Sequence, residues 1–447
     1  MPRWSLAPSR RSLLRDGAPT FLLADTTWAA FIGPTDEEWS DYLALRRRQG
    51  FNGLLISVLP IEHDRSEGGL SPYRVIDGRL DLSAGDEEYW PRAERRLAEA
   101  VEHGFTPMLV LLWNNFVPGT WGAGLTPDLV LDADQTVEHV RSTVERFARF
   151  DPIWIVSGDD DLNDETALAR YSLAAETVRQ HAPDSLVTWH STPTARMPQA
   201  LADGPLLDLH GLQPGHNDDW DTLPRDLVRY YDDLAVERPT INLEPCYEGL
   251  GRFAGRARHS QADVRRASWT GIVAGAAAGL GYGAHGVWSW HRRGSAFTAE
   301  AVHGLPFPFS AALAFPGADD VAFLRRVVEA EQLLDLREDR EVLVAEASGA
   351  VVGRTGTTLA VYAPTAFPLT LSVDPATVAE VRLYDLAGRR IDAADWSAVV
   401  LEGGADSGAD AGADSADAAD AGASARGVRL EQPEFPGDAL FVLRLAE

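Results

Sequence analysis

At 447 residues the chain exceeds one ordinary domain, and 45% hydrophobic with 24% charged residues describes a globular protein with a sizeable core. A formal net charge of −27 leaves no basic surface to neutralise phosphates, which excludes a nucleic-acid partner. The single cysteine, Cys246, excludes an intramolecular disulfide framework and a CxxC metal site, and all 40 basic residues are arginine.

The opening segment MPRWSLAPSRRSLLRDGAPTFLL is basic but lacks the apolar core of roughly 7–15 residues that a secretory signal carries. No window reaches the ~18 uninterrupted apolar residues of a membrane span. The expectation is a cytoplasmic protein with no membrane partner; the oligomeric state is not legible.

In chain order, Phe21–Thr26 (FLLADT) reads as a strand, and Asp36–Gln49 as a helix with Thr35 as its N-cap. GLLISV from Gly53, a helix over Arg92–His103, PMLVLLW (Pro107–Trp113) and a helix over Asp134–Phe147 follow. Then come IWIVSGD (Ile153–Asp159), a helix over Glu165–His181, LVTWH (Leu186–His190) and LLDLHGLQ (Leu206–Gln213). A helix over Pro224–Leu234, TINLE (Thr240–Glu244), a helix over Gln261–Ala278 and GVWSW (Gly286–Trp290) complete the series. Apolar runs without polar alternation, separated by helices, predict a parallel sheet covered on both faces. Eight such units predict an α/β fold, a (β/α)8 TIM barrel over residues 1–338, with its active site at the C-terminal ends of the strands. A doubly wound open sheet is the alternative.

After Asp339 the helical period is lost. VLVAEA, TLAVYAP, LTLSV, EVRLYDLAGRRI and ALFVLRLA read as short strands, with DLAG (Asp385–Gly388) as a hairpin turn. They predict a small all-β sandwich domain over 339–447. Within it, residues 403–427 carry five aspartates and no large apolar side chain, which predicts a disordered acidic insertion.

On a barrel, the polar groups just past each strand converge. The fourth strand delivers Asp159 and the seventh Glu244, and two carboxyl groups facing one pocket are what glycosidic cleavage requires. One donates a proton to the leaving oxygen; the other attacks or stabilises the sugar cation. These two are the candidate catalytic residues. Asp25, Trp28, Trp113, Asn114, His190, His210, Gln213, Tyr247, Glu248 and Trp290 are the candidate substrate-binding residues, with Trp288 at the same strand end. Aromatic faces pack on sugar rings, while amides and imidazoles satisfy hydroxyls. Each has an ordinary reading too. Asp159, and more readily Asp160 and Asp161, could cap the next helix; Glu248 could be a loop ion-pair partner; His190 and His210 could be core histidines; Asp25 could pin the first loop.

Competing motifs fail on context. GYGAHG (Gly281–Gly286) matches GxGxxG but follows a helix and precedes a strand, the reverse of a dinucleotide site. DDDLND (Asp159–Asp164) lacks the glycine that a calcium loop needs at its sixth position, and Arg170 fills the twelfth. There is no GxSxG elbow and no Walker loop. His190, His210 and His216 have no recognised ligand spacing, so no metal and no cofactor are expected.

Three stretches carry a family resemblance: Phe21–Pro60, IWIVSGDD and INLEPCYEG. They resemble the apiosidase-like glycoside hydrolase domain, over most of residues 10–335. The β domain resembles the small module, labelled collagen-binding, that often follows it; nothing in the sequence carries that label over. The resemblance implies that Asp159 matches the family's Gly-Gly-Asp acid, with Ser157 in place of the first glycine, and that Glu244 matches its second catalytic carboxylate. It implies cleavage of apiosyl or related bonds in plant-type saccharides, here a short oligosaccharide. Two other classes stay open: a carbohydrate-binding barrel without catalysis, and a metal-dependent hydrolase on the same fold.

A retaining mechanism is expected, with Asp159 as general acid/base and Glu244 as nucleophile, their carboxyl groups about 5–5.5 Å apart. Repulsion and burial should raise the Asp159 pKa. Donors such as Asn114 or a histidine should keep Glu244 ionised.

Overall fold

In the computed structural model, which describes residues 3–61, 69–252, 257–344, 349–401 and 426–446, eight short strands run parallel. They are β1 (Leu22–Thr26), β2 (Gly53–Ser57), β3 (Thr106–Val110), β4 (Ile153–Ile155), β5 (Val187–Thr188), β6 (His210–Leu212), β7 (Thr240–Asn242) and β8 (Gly279–Tyr282). Every residue in them is buried, as expected for strands covered on both faces. Neighbours pair from β1 to β5 and from β6 to β8. The last strand pairs back onto the first, from Gly279↔Leu22 to Tyr282↔Asp25. Between β5 and β6 the link is the Asp208 amide donating to the Val187 carbonyl at 2.9 Å. First-to-last pairing makes a nearly closed barrel and excludes the doubly wound sheet.

Helices α1 (Asp36–Gln49), α2 (Tyr89–Glu102), α3 (Ala133–Phe147) and α4 (Glu165–His181) fill the first four connections. The last four hold α5 (Gln199–Ala202), α6 (Leu223–Asp232), α7 (Gln261–Ala274) and α8 (Gly317–Ala330), the last following β8. Their ends are written locally. Thr35 and Glu38 form a capping box on α1, Asp132 and Gln135 on α3, and Ser260 and Asp263 on α7, each satisfying amides that helix geometry leaves unpaired.

The eighth strand is not where the sequence placed it. Gly286–Trp290 is a turn beyond the barrel, β8 is Gly279–Tyr282, and α7 stops at Ala274 instead of Ala278 because Gly275 caps it at φ 132°. Strand β8 is glycine-rich because the wall is crowded: a Cβ on Gly281 would lie 2.2 Å from the Leu243 carbonyl oxygen. The apolar side chains that signal a strand are therefore largely missing.

At the opposite end of the barrel, a three-stranded antiparallel sheet (Trp4–Leu6, Leu13–Arg15, Ala18–Pro19) covers the N-terminal face. The Trp4 indole N–H donates to Thr106 Oγ1, at the start of β3, across 2.7 Å.

The chain forms two compact units, Met1–Leu336 and Arg337–Glu447. The second, by itself, has a six-stranded antiparallel sheet and a three-stranded one of Leu369–Leu371, Arg426–Leu430 and Trp396–Val400. Leu359, Val361 and Phe441 of the first sheet share a core with Leu371 and Leu430 of the second, which makes a sandwich. The Asp385–Gly388 turn joins Val378–Asp385 to Arg390–Asp392, with Asp385 Oδ1 accepting from the Gly388 amide at 2.8 Å. The acidic tract expected at 403–427 lies outside the described residues as far as 425, whereas Arg426 and Gly427 belong to a strand. No described helix is long and apolar enough to cross a membrane.

Candidate active site

Beyond β4 the chain continues as Ser157, Gly158 and Asp159. Ser157 Oγ donates to the His190 carbonyl at 2.8 Å and accepts the His190 amide at 3.1 Å, fastening the extension of β4 to that of β5. The serine thus acts as a clasp between the two extensions. Gly158 is required by its neighbour, since a Cβ there would lie 2.4 Å from the Trp113 ring. Asp159 takes a left-handed backbone, φ 51°, a conformation costing about 1–3 kcal/mol that persists only where surroundings hold it. Here they do. Its carbonyl accepts from Asn114 Nδ2 at 2.6 Å and from Trp121 Nε1 at 3.0 Å, while its amide donates to His190 Nδ1 at 3.1 Å.

The Asp159 carboxyl accepts from Gln213 Nε2 at 3.2 Å. Burial, and then the nearby charge of Glu244, push its pKa up from 3.8 to about 6.

Glu244, two residues past β7, is held by two imidazoles. His190 Nε2 lies 3.1 Å from Oε2, and His216 Nε2 lies 3.0 Å from Oε1. The other ring nitrogens are already engaged: Nδ1 of His190 accepts the Asp159 amide, and Nδ1 of His216 accepts the Tyr247 amide at 3.2 Å. An imidazole whose Nδ1 accepts carries its proton on Nε2, so both rings donate to the carboxylate. Burial alone would raise the Glu244 pKa; the hydrogen bonds from His190 and His216 outweigh it and hold the group at about 2.

Asp159, Glu244, Trp28, Trp113, Gln213 and Tyr247 line one cavity of about 440 Å³, within the size range of small-molecule sites. Trp28 meets Trp113 edge-on at 5.2 Å and His190 at 5.7 Å. Asn114 and His190 stand just behind this lining, and Asn114 supports the Asp159 backbone instead of donating to Glu244.

Four of the expected binding residues lie elsewhere. Asp25 is fully buried, accepting from Arg46 Nε at 2.6 Å and the Tyr42 hydroxyl at 2.7 Å. His210, the first residue of β6, stacks on Tyr231 of α6 at 4.9 Å, where burial and then Arg238 lower its pKa to about 4. Glu248 accepts from the Tyr282 hydroxyl at 2.7 Å and the Gly317 amide at 2.9 Å, tying the β7 loop to the start of α8. Trp290 donates to Glu38 at 3.3 Å and stacks on Phe309, leaving Trp288 as the cavity wall. Asp25, Glu248 and His210 read as strand-end polar groups because sequence does not distinguish a side chain aimed at the pocket from one aimed at a helix.

Among the other acids, Asp164 caps α4, Asp160 accepts the Leu162 amide at 3.0 Å and Asp161 accepts from Thr192 at 2.7 Å. His216 and Trp121 were missed as site residues. Both sit in connections without periodicity, and the only cue for His216 is its place just after the Pro214–Gly215 turn that follows β6.

Among the described residues, no group of three or more His, Cys, Asp or Glu is placed to hold a metal ion. A family profile described as the apiosidase-like catalytic domain matches residues 7–335. A solved glycoside hydrolase is similar at 17% identity and a TM-score of 0.77, with 99% of this chain and 97% of that one covered. A glycoside hydrolase family 5 structure from Bacteroides vulgatus is similar at 18% identity and a TM-score of 0.77, covering 99% and 93%. No curated protein matches the chain.

Proposed function

The chain belongs to the apiosidase-like family and is a glycosidase, and from that premise we propose that it cleaves apiosyl-type bonds in short plant-type glycosides by a retaining, two-carboxylate mechanism. The observation that carries the assignment of roles is the opposite setting of two carboxyl groups in one cavity. Asp159 is held near 6 and Glu244 near 2, so around pH 5 one is a proton donor and the other an anion.

Glu244 attacks the anomeric carbon as the glycosidic C–O bond breaks, and the Asp159 proton passes to the departing oxygen. The glycosyl–Glu244 ester then reacts with water: the Asp159 carboxylate takes the water proton, the hydroxyl adds to the anomeric carbon, and Glu244 leaves as carboxylate. His190 and His216 keep the nucleophile ionised and fix its orientation. Gln213 aligns the acid. The tryptophans supply apolar faces for the ring and exclude water, which strengthens each electrostatic contact.

Proton NMR of the first-formed sugar tests the mechanism. Retained anomeric configuration is expected; an inverted first product would overturn the nucleophilic role of Glu244.

A further inference from the structure

We propose that Ser157 is a positioning residue for the active site: its hydroxyl fixes the main chain of His190 and, through that ring, the alignment of Asp159 with Glu244. This rests on the reading of Asp159 and Glu244 as the catalytic pair.

Strands β4 and β5 pair only at Trp154↔Val187 and Ile155↔Thr188, closing with the Val156 amide on the Thr188 carbonyl at 3.1 Å. The two segments meet again at Asp160 and Ser191, where the Thr192 amide donates to the Asp160 carbonyl at 3.0 Å. In between, Asp159 turns left-handed at φ 51° and the ladder is interrupted. His190 lies in that gap. Both of its main-chain polar groups go to one hydroxyl: Ser157 Oγ accepts its amide at 3.1 Å and donates to its carbonyl at 2.8 Å. One proton and one lone pair of the serine thus stand in for a rung of the ladder. Ser157 and His190 are both fully buried, so without the hydroxyl neither main-chain group has water to turn to.

The place of that backbone matters because the ring it carries serves both catalytic residues. Nδ1 accepts the Asp159 amide and Nε2 reaches Glu244, each at 3.1 Å. A displacement of about half an ångström would carry either contact past hydrogen-bond range. Trp28 and Trp113 pack against the ring at 5.7 and 5.9 Å. Non-directional contacts of that kind do not set a hydrogen-bond length; the backbone anchor does. Against burial, which raises the Glu244 pKa, the His190 hydrogen bond is first among the contacts that hold it at about 2. Among the described residues, the hydrogen bonds of Ser157 Oγ go to His190 alone. Whatever the serine does to Glu244 therefore passes through His190.

A double-mutant cycle on the full-length protein tests this, with wild type, Ser157→Ala, His190→Ala and the pair. The probe is dinitrophenyl apioside, whose aglycone departs without a proton, so kcat/KM reads attack at the anomeric carbon. Ser157→Ala should lower kcat/KM about tenfold or more in the wild-type background, and less than about twofold where His190 is already alanine. His190→Ala keeps the main-chain groups that Ser157 binds, so the melting temperature should fall by similar amounts in both backgrounds. A purely structural clasp would give equal kcat/KM losses in both; that result, or no loss in either, overturns the proposal. Proton NMR adds a readout that needs no turnover. The downfield imidazole N–H resonance that His190→Ala removes should be sharp in wild type and lost or exchange-broadened in Ser157→Ala. An unchanged resonance in folded Ser157→Ala overturns the proposal. Should Ser157→Ala not fold, Ser157→Cys, a weaker hydrogen-bonding group, carries the same measurements. If wild type does not turn over the probe, loss of the resonance supports the positioning role and counts only against the substrate. An inverted first product counts only against Glu244 as nucleophile, and the cycle and the resonance are then read unchanged.

Discussion

His190 donates from Nε2 to Glu244 Oε2 across 3.1 Å while its Nδ1 accepts the Asp159 amide, so one ring ties the backbone of Asp159 to the carboxylate of Glu244. His216 repeats the device on the other oxygen, with the Tyr247 amide fixing its tautomer. Removing either ring should leave a buried carboxylate short of one donor. His216→Ala is expected to lower kcat/KM by about 10- to 150-fold, the equivalent of about 1.5–3 kcal/mol for a hydrogen bond to a charged group. The Glu244 pKa rises in the variant, so the acid limb of the pH profile moves upward from its starting point near 2. A drop in rate with an unmoved acid limb would show that His216 acts elsewhere.

The wild-type pH profile follows from the two settings. Glu244 must be ionised and Asp159 protonated, so kcat/KM should be flat between about 2 and 6 and fall tenfold per unit above that. The alkaline limb should vanish in Asp159→Asn. A limb near 8 would point to another acid.

Leaving-group dependence separates the roles of the two carboxyl groups. Asp159→Asn should slow cleavage of poor leaving groups by about 10²- to 10⁴-fold, the usual worth of general acid catalysis. It should barely affect kcat/KM for a dinitrophenyl glycoside, which departs without a proton, while kcat for that substrate falls because the glycosyl–Glu244 ester must hydrolyse without the Asp159 base. Glu244→Gln should abolish turnover of both. Values of kcat/KM across a series of aglycone pKa values decide this, and equal losses in kcat/KM across the series would remove Asp159 from the acid role.

Much of this arrangement was legible in the sequence, and what was not has physical causes. Strand β1 and helices α1 and α4 stood out because an apolar run, an N-cap and a C-terminal glycine or basic turn all mark the same boundaries. Asp159 and Glu244 were visible because a polar residue directly after a buried run has few places to go. Strand β8 was hidden: close approach to the Leu243 carbonyl forces glycine at position 281, so the side-chain signal is lost. Asp25 misled for a related reason. It also follows a buried run, but its partner Arg46 lies one helix away in α1, and pairing at that distance leaves no local pattern.

Asp25 can be assigned by its response to mutation. Its pair with Arg46 is fully buried on both sides, so Asp25→Asn leaves an uncompensated guanidinium in the core. The expected cost is about 3–5 kcal/mol of stability, with kcat/KM per folded molecule changing by less than about threefold. Denaturant unfolding and active-site titration measure the two quantities separately. A large KM effect at unchanged stability would return Asp25 to the substrate.

Stability and catalysis should trade against each other at Asp159. Its pKa in the folded state, about 6, lies above the ordinary 3.8, so the folded chain holds this proton more tightly than the unfolded chain does. The contribution is complete below pH 3.8 and is lost as pH rises through 6; above that, ionising this buried carboxyl beside Glu244 costs up to about 3 kcal/mol. Asp159→Asn carries no charge at any pH and keeps a carbonyl oxygen for Gln213. The variant should therefore melt several degrees above wild type at pH 7.5, while the two should converge near pH 3.5. Differential scanning calorimetry at both pH values provides the check. An Asn variant no more stable than wild type at pH 7.5 would mean that water or a neighbouring donor already solvates the Asp159 carboxylate, and the proton donor would then have to be sought elsewhere along the cavity wall.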